Sequence, residues 1–207
     1  MRKKVFFITG SAGFIGFHLS KFLLEKNFKV ISVDNFDDYY DVKIKKDRIK
    51  ILKKFKNFKI FKADITNEKK IRNIFLKVKK IDFFIHLAAQ AGVRYSLVNR
   101  KKYLSTNVIG FFNLIEIIKE RKEIKHFLFA STSSVYGANL NKISSESDKT
   151  DFPIQFYAAT KKSNEIFAYA YSKLYKIPTT GLRFFTVYGP WGRPDMALFK
   201  FTKNILS

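Results

Sequence analysis

The 207-residue chain carries 40 Lys and Arg against 17 Asp and Glu, a formal charge of +23, with three histidines and no cysteine. Disulfides, thiol catalysis and cysteine zinc sites are excluded, and His18, His86 and His126 are too scattered to gather a metal. The length suits one domain burying about 70% of its unfolded surface. The basic excess is dispersed, lysine-rich and accompanied by many Phe, Ile, Asn and Tyr, a pattern of A/T-rich coding rather than of a nucleic-acid-binding face.

Arg2, Lys3 and Lys4 precede an uncharged stretch over 5–20 that imitates a signal peptide, but cleavage there would destroy the motif that follows. The stretch is also short for a membrane span. A cytoplasmic protein without a membrane segment is expected. The apolar run 5–8 reads as a strand, Thr9-Gly10-Ser11-Ala12-Gly13-Phe14-Ile15-Gly16 as a tight turn, and the periodic segment up to Asn27 as a helix. In this setting Gly10 permits the turn, Gly13 admits the backbone to a pyrophosphate, and Gly16 lets helix and strand pack closely. A second apolar run, 29–33, ends in Asp34, placed to bind the ribose hydroxyls of an adenosine. A dinucleotide is the implied ligand.

A polar and aromatic loop over 35–40 leads to a helix over 42–55 and a strand over 58–61. Asp64 follows, either touching the adenine or acting as the N-terminal acid of a helix over 67–78. The strand 82–87 holds His86, read as a core imidazole, and runs into Ala88, Ala89, Gln90, Ala91 and Gly92, small residues that let backbone lie against a cofactor. The segment 103–119 reads as one long helix whose stripe Val108, Phe111, Phe112, Ile115 and Ile118 is core. A strand over 127–130 ends in Ser131, Thr132, Ser133 and Ser134. These hydroxyls stand where open α/β sheets bind ligands, and an ordinary polar loop fits the stretch equally. A polar loop over 139–151, a helix over 157–175, a strand over 179–185 and a helix from Met196 complete the chain. Strands alternating with helices imply an α/β fold, a doubly wound parallel sheet of Rossmann type with helices on both faces, in a single unit over 1–207.

Tyr157 and Lys161 lie four apart at a helix start, so the ammonium can stabilise a phenolate and make Tyr157 a base. Poising a tyrosine near pH 7 takes about 4 kcal/mol. Tyr39 with Lys43 and Tyr169 with Lys173 repeat the spacing and read as solvated helix faces, because only Tyr157 follows a hydroxyl cluster at a strand end.

The turn at 9–16, Asp34, the 86–96 stretch, Asn107, the 131–137 stretch, Tyr157 with Lys161, and the 182–190 stretch together resemble an extended short-chain dehydrogenase/reductase of the sugar-nucleotide epimerase and dehydratase group. Within it, Ala91-Gly92-Val93-Arg94-Tyr95-Ser96 and Pro190-Trp191-Gly192-Arg193-Pro194-Asp195-Met196-Ala197 resemble the UDP-glucuronate 4-epimerases. The resemblance implies NAD, held by Gly10, Gly13, Phe14, Ile15, Gly16, Asp34, Asn35, Asp64, Ile65, Leu87, Ala88, Ala89, Tyr157 and Lys161. It implies that Tyr157 removes the sugar 4-hydroxyl proton, Thr132 relays it, Lys161 holds the nicotinamide ribose, and Asn107 supports the site. Arg94, Ser133, Ser134, Thr186 and Arg193 are the implied substrate contacts, with a nucleotide sugar as substrate.

Dehydratases of the group place acids where Ser133 and Ser134 stand, and serines cannot do that acid/base work, which favours the epimerase. Arg100 follows Asn99 where the group usually has proline, so that loop is expected to differ. Relatives of this group continue into a C-terminal region gripping the nucleotide, expected here to be absent. That leaves as alternatives an inactive NAD-binding remnant or partner subunit, and a dehydratase; a homodimer or a separately encoded C-terminal half is the implied partner.

Overall fold

A computed structural model describes residues 3–138 and 143–206; Met1 and Arg2 of the basic start, residues 139–142 of the expected polar loop, and Ser207 lie outside the described residues. Six parallel strands form one sheet in the order β3-β2-β1-β4-β5-β6: β1 (Val5–Thr9), β2 (Lys29–Asp34), β3 (Phe58–Lys62), β4 (Phe83–His86), β5 (His126–Thr132) and β6 (Thr179–Phe184). The expected doubly wound Rossmann sheet is present. The winding reverses between β1 and β4, where Thr9 lies beside both Val33 and His86, and the carboxyl ends part there to open a crevice.

The central strands are mostly apolar because both their faces are covered, with polar residues gathered toward their carboxyl ends. Phe7, Val33, Phe84, Phe127 and Phe129 enter one core with residues of α3 (Glu68–Leu76), α6 (Gly110–Lys119) and α7 (Phe156–Tyr175). Ile8, Val30 and Ile85 enter the other with α1 (Phe14–Glu25) and α2 (Val42–Leu52). Asp41 caps α2 by accepting from Lys43 N–H at 2.7 Å, and Asn67 caps α3 by accepting from Lys70 N–H at 2.9 Å.

The expected helix over 103–119 is instead α5 (Arg100–Tyr103), a π-helical turn (Leu104–Ile109) and α6, preceded by an unforeseen short helix α4 (Tyr95–Val98). Asn99 breaks the path between α4 and α5 with φ −128° and ψ 54°. The wider turn rotates the faces away from regular helical spacing. Phe112, expected in the core, is therefore 43% exposed, while Tyr103 and Asn107 turn inward and are fully buried. The strand β5 runs further than expected and carries Ser131 and Thr132 within it, so that Ser133 opens a 3-10 turn (Ser133–Tyr136). Beyond β6 lies α8 (Ala197–Leu206), which buries none of its residues. No described helix is long and apolar enough to cross a membrane.

Candidate active site

A cleft of about 990 Å³ opens at the carboxyl ends of the strands; it is lined by every residue expected to contact cofactor or substrate except Asp64 and Asn107. One end is the turn between β1 and α1. Gly10 has φ +82°, and a Cβ there would stand 2.6 Å from Ala88 N. At Gly16 a Cβ would stand 2.1 Å from Gly10 O, so turn and helix touch with no room for a side chain. A Cβ on Gly13 would meet only Gly10 O, at 3.1 Å, with open cleft beyond. The helix has no side-chain cap and no acid in its first turn, which leaves the first-turn amides of Phe14, Ile15 and Gly16 at the cleft wall for an anion. The turn fits a pyrophosphate.

Asp34 at the end of β2 is 7% exposed and accepts from Ala12 N–H at 2.9 Å and Phe36 N–H at 2.8 Å, which ties the acid to the turn. Burial pushes its pKa up from the ordinary aspartate value, while both hydrogen bonds and the charge of Lys45 pull it back toward the ionised form. Asp64 stands three residues before Asn67, the cap of α3, whose first-turn acid is Glu68, and is not among the residues that line the cleft. Its carboxylate accepts from Thr66 N–H at 2.8 Å and from Asn35 Nδ2 at 2.7 Å, so it holds Asn35 rather than facing the cleft itself.

At the other end Tyr157 and Lys161 face the hydroxyl cluster from the first turns of α7. The backbone of Tyr157 is pinned: its N–H donates to Ser96 Oγ at 3.3 Å and its carbonyl accepts from Thr160 Oγ1 at 2.7 Å. Asn107, brought inward by the π turn, donates to Thr160 Oγ1 at 3.1 Å and to Gln90 O at 3.0 Å, and accepts from Gln90 N–H at 2.8 Å. It locks the β4 loop against α7 from behind the cleft. Lys161 is 1% exposed, has no ion-pair partner among the described residues, and is lowered by burial to about 8. Burial raises the Tyr157 phenol, opposed by a hydrogen bond with Thr132 and by the charge of Arg193. The four-residue spacing implies Lys161 as the source of that opposing charge; in the free chain it comes from Arg193, and burial outweighs it. His86 is a core imidazole as expected, 2.7 Å from Thr9 Oγ1, its pKa driven well below 6.5 by burial and by Lys161.

The hydroxyl cluster is braced from below. Ser131 Oγ donates to Glu165 Oε1 at 2.6 Å, and Arg183 from β6 forks onto the same carboxylate with both contacts at 3.0 Å. Thr132 Oγ1 accepts from Ser134 N–H at 3.2 Å. Arg94 and Thr186 stand exposed on the rim.

Spacing alone missed Tyr39, Lys45, Arg48 and Asp195. Tyr39, read as part of a solvated face, instead lines the cleft; its hydroxyl donates to Asp195 Oδ2 at 3.1 Å and the Arg193 guanidinium lies 5.6 Å from its ring centre. Arg193 in turn donates to Asp195 at 3.0 and 2.5 Å. Tyr39 lies 156 residues from Asp195, so no local pattern could pair them.

A parallel sheet with a glycine turn, an acid at the end of β2, and a Thr-Tyr-Lys group across the cleft defines a dinucleotide-binding member of the short-chain dehydrogenase/reductase class. Residues 7–207 match the family model described as GDP-mannose 4,6 dehydratase, and the chain belongs to that family. It is 52% identical to protein CapI of Staphylococcus aureus over 97% of this chain and 59% of that protein. To a probable UDP-glucuronate 4-epimerase of Rhizobium meliloti it is 48% identical over 97% of this chain and 58% of the relative. A crystal structure of UDP-glucuronic acid 4-epimerase from Bacillus cereus in complex with UDP-glucuronic acid and NAD superposes with a TM-score of 0.86 at 35% identity, covering 98% of this chain and 63% of that one. The chain thus spans about three fifths of the length of these relatives, and the group read from its motifs is the group they define.

Proposed function

We propose that this chain forms the cofactor-binding and catalytic half of an NAD-dependent nucleotide-sugar 4-epimerase whose substrate is UDP-glucuronate. The observation that carries the reading is the convergence of Thr132, Tyr157 and Lys161 at the far end of one cleft from the glycine turn and Asp34. The relatives named for UDP-glucuronate epimerisation support the choice of sugar. When bound, NAD+ supplies the hydride acceptor for the sugar carbon and a positive charge beside the phenol. The turn amides bind the pyrophosphate, Asp34 the adenosine ribose and Lys161 the second ribose.

With the sugar in place, Tyr157 takes the 4-hydroxyl proton through Thr132 and returns it on the opposite face after the 4-keto sugar has turned over. The buried phenol is neutral at pH 7 in the free chain. To act as the base it first gives that proton up to solvent, drawn by the positive charge that arrives with the ligand; the phenolate then takes the 4-hydroxyl proton and holds it for the return step. Arg94 and Arg193 neutralise the sugar carboxylate and the diphosphate, with Ser133, Ser134 and Thr186 donating to the same groups. The carboxylates among the described cleft residues are Asp34, Asp37 and Asp195, and the last is engaged by Arg193 and Tyr39. That distribution leaves no free acid at the hydroxyl cluster for water elimination and supports epimerase over dehydratase.

The test is to incubate NAD and UDP-glucuronate with the 207-residue chain and, in parallel, with the chain joined to the remaining portion of the Staphylococcus aureus relative, following the 4-epimer by NMR. Conversion in either form that is lost in Tyr157→Phe is the expected result. NAD binding without Tyr157-dependent conversion in both forms would overturn the reading.

A further inference from the structure

Arg48 lies on α2, in a segment that reads as a lysine-rich solvated helix, yet it is 0% exposed. Its guanidinium joins three separate loops. Nη1 donates to Ala12 O of the glycine turn at 2.8 Å and to Tyr40 Oη of the β2–α2 loop at 2.7 Å. Nη2 donates to Trp191 O at 2.5 Å, in the loop that follows β6. Trp191 is one of the few non-glycine residues with positive φ, +60°, so its carbonyl is aimed by a backbone conformation that side chains disfavour. Two residues further on is Arg193, held by Asp195 and Tyr39. All the acceptors of this buried charge are neutral, and only a planar fork reaches both the turn and the far loop at once.

We infer that Arg48 is a positioning residue that makes the loop after β6 respond to what lies on the glycine turn. The inference rests on the cofactor assignment above. A diphosphate on the amides of Phe14, Ile15 and Gly16 loads the turn whose Ala12 carbonyl Arg48 holds just upstream; the guanidinium transmits that adjustment to Trp191 and sets where Arg193 stands beside Tyr157. Filling the adenosine half of the cleft thereby prepares the substrate half. The coupling runs through hydrogen bonds that lysine, although equally charged, cannot reproduce.

Trp191 is the single tryptophan of the chain and does not line the cleft, so its emission reports the loop rather than contact with the ligand. The probe is ADP, which fills the adenosine diphosphate half and lacks nicotinamide. Calorimetry gives its affinity, and Trp191 emission gives the loop response, in the wild-type chain, in Arg48→Lys and in Arg48→Gln, whose amide reaches one carbonyl and serves should the lysine variant fail to fold. The expected result is an emission change on ADP binding in the wild type that is lost in the variant, with the variant's ADP affinity within about tenfold of wild type. Binding of ADP to the wild type with no emission change, or a full change retained in a variant, would overturn the inference. Failure of the wild type to bind ADP at all would remove the cofactor assignment itself, and the inference with it.

Discussion

Replacing Lys161 by Met should make the ligand-free chain more stable at neutral pH while disabling the site. The ammonium is 1% exposed without an ion-pair partner among the described residues, and burial brings its pKa from 10.5 to about 8. Below pH 8 folded and unfolded chains both carry the proton, and the folded state bears the whole cost of burying the charge. At about 1.4 kcal/mol per pH unit that cost is about 3 kcal/mol. Between pH 8 and 10.5 the unfolded chain still holds a proton that the folded chain has lost, so the cost is relieved as pH rises and is gone above 10.5. Methionine fills similar volume without charge. Urea unfolding at pH 7 should therefore find Lys161→Met more stable than wild type by about 2–3 kcal/mol, with the gap closing toward pH 10.5. Taking the difference between the two proteins cancels nearly all of the pH response from the +23 surface, which both share. Equal stability at pH 7, or a gap that widens with pH, would refute the reasoning.

Gly13→Ala should leave the melting temperature within a few degrees, because its methyl meets only Gly10 O at 3.1 Å, yet weaken NAD by at least about tenfold in calorimetry by filling the turn. Gly16→Ala should cost more than about 2 kcal/mol in urea unfolding, since its methyl would stand 2.1 Å from backbone. Glu165→Gln leaves the Arg183 guanidinium underneath Ser131 without its charge partner and should cost about 3 kcal/mol, read by the same unfolding assay. Arg94→Ala should penalise UDP-glucuronate far more than UDP-glucose in whichever form of the chain turns substrate over; an equal loss would count against a carboxylate role. Phe185 after β6 and Leu198 and Phe201 on α8 are exposed apolar side chains, so the chain should self-associate and Phe201→Lys should reduce that association in light scattering.

The parts of the site legible in sequence are those that chain-local physics dictates. Gly10, Gly13, Gly16 and Asp34 follow from a strand-turn-helix and the end of the next strand; the sheet follows from apolar runs long enough for a strand and too short for a helix. What escaped was set by distant partners. Arg48 looks like a solvated helix charge because the carbonyls of Ala12 and Trp191 that hold it come from other loops, while Lys45 is held by the Asp37 carbonyl in the loop folded back before its own helix. The π turn at Leu104–Ile109 carries no spacing signal, since it exists to seat Asn107 against Gln90 and Thr160, and its cost to the reading was Phe112. Tyr157 was legible, its electrostatics were not: the charge acting on it comes from Arg193, across the cleft, and burial prevails over it.

The cleft is proposed to hold one dinucleotide with its adenosine on Asp34 and its reactive end at Tyr157 and Lys161. Calorimetric titration of NAD and NADP into the 207-residue chain tests it most directly. One NAD per chain, bound at least about tenfold more tightly than NADP, is predicted, because the buried Asp34 carboxylate accepts ribose hydroxyls and repels an added 2′-phosphate. No NAD binding, or NADP bound equally or more tightly, would contradict it.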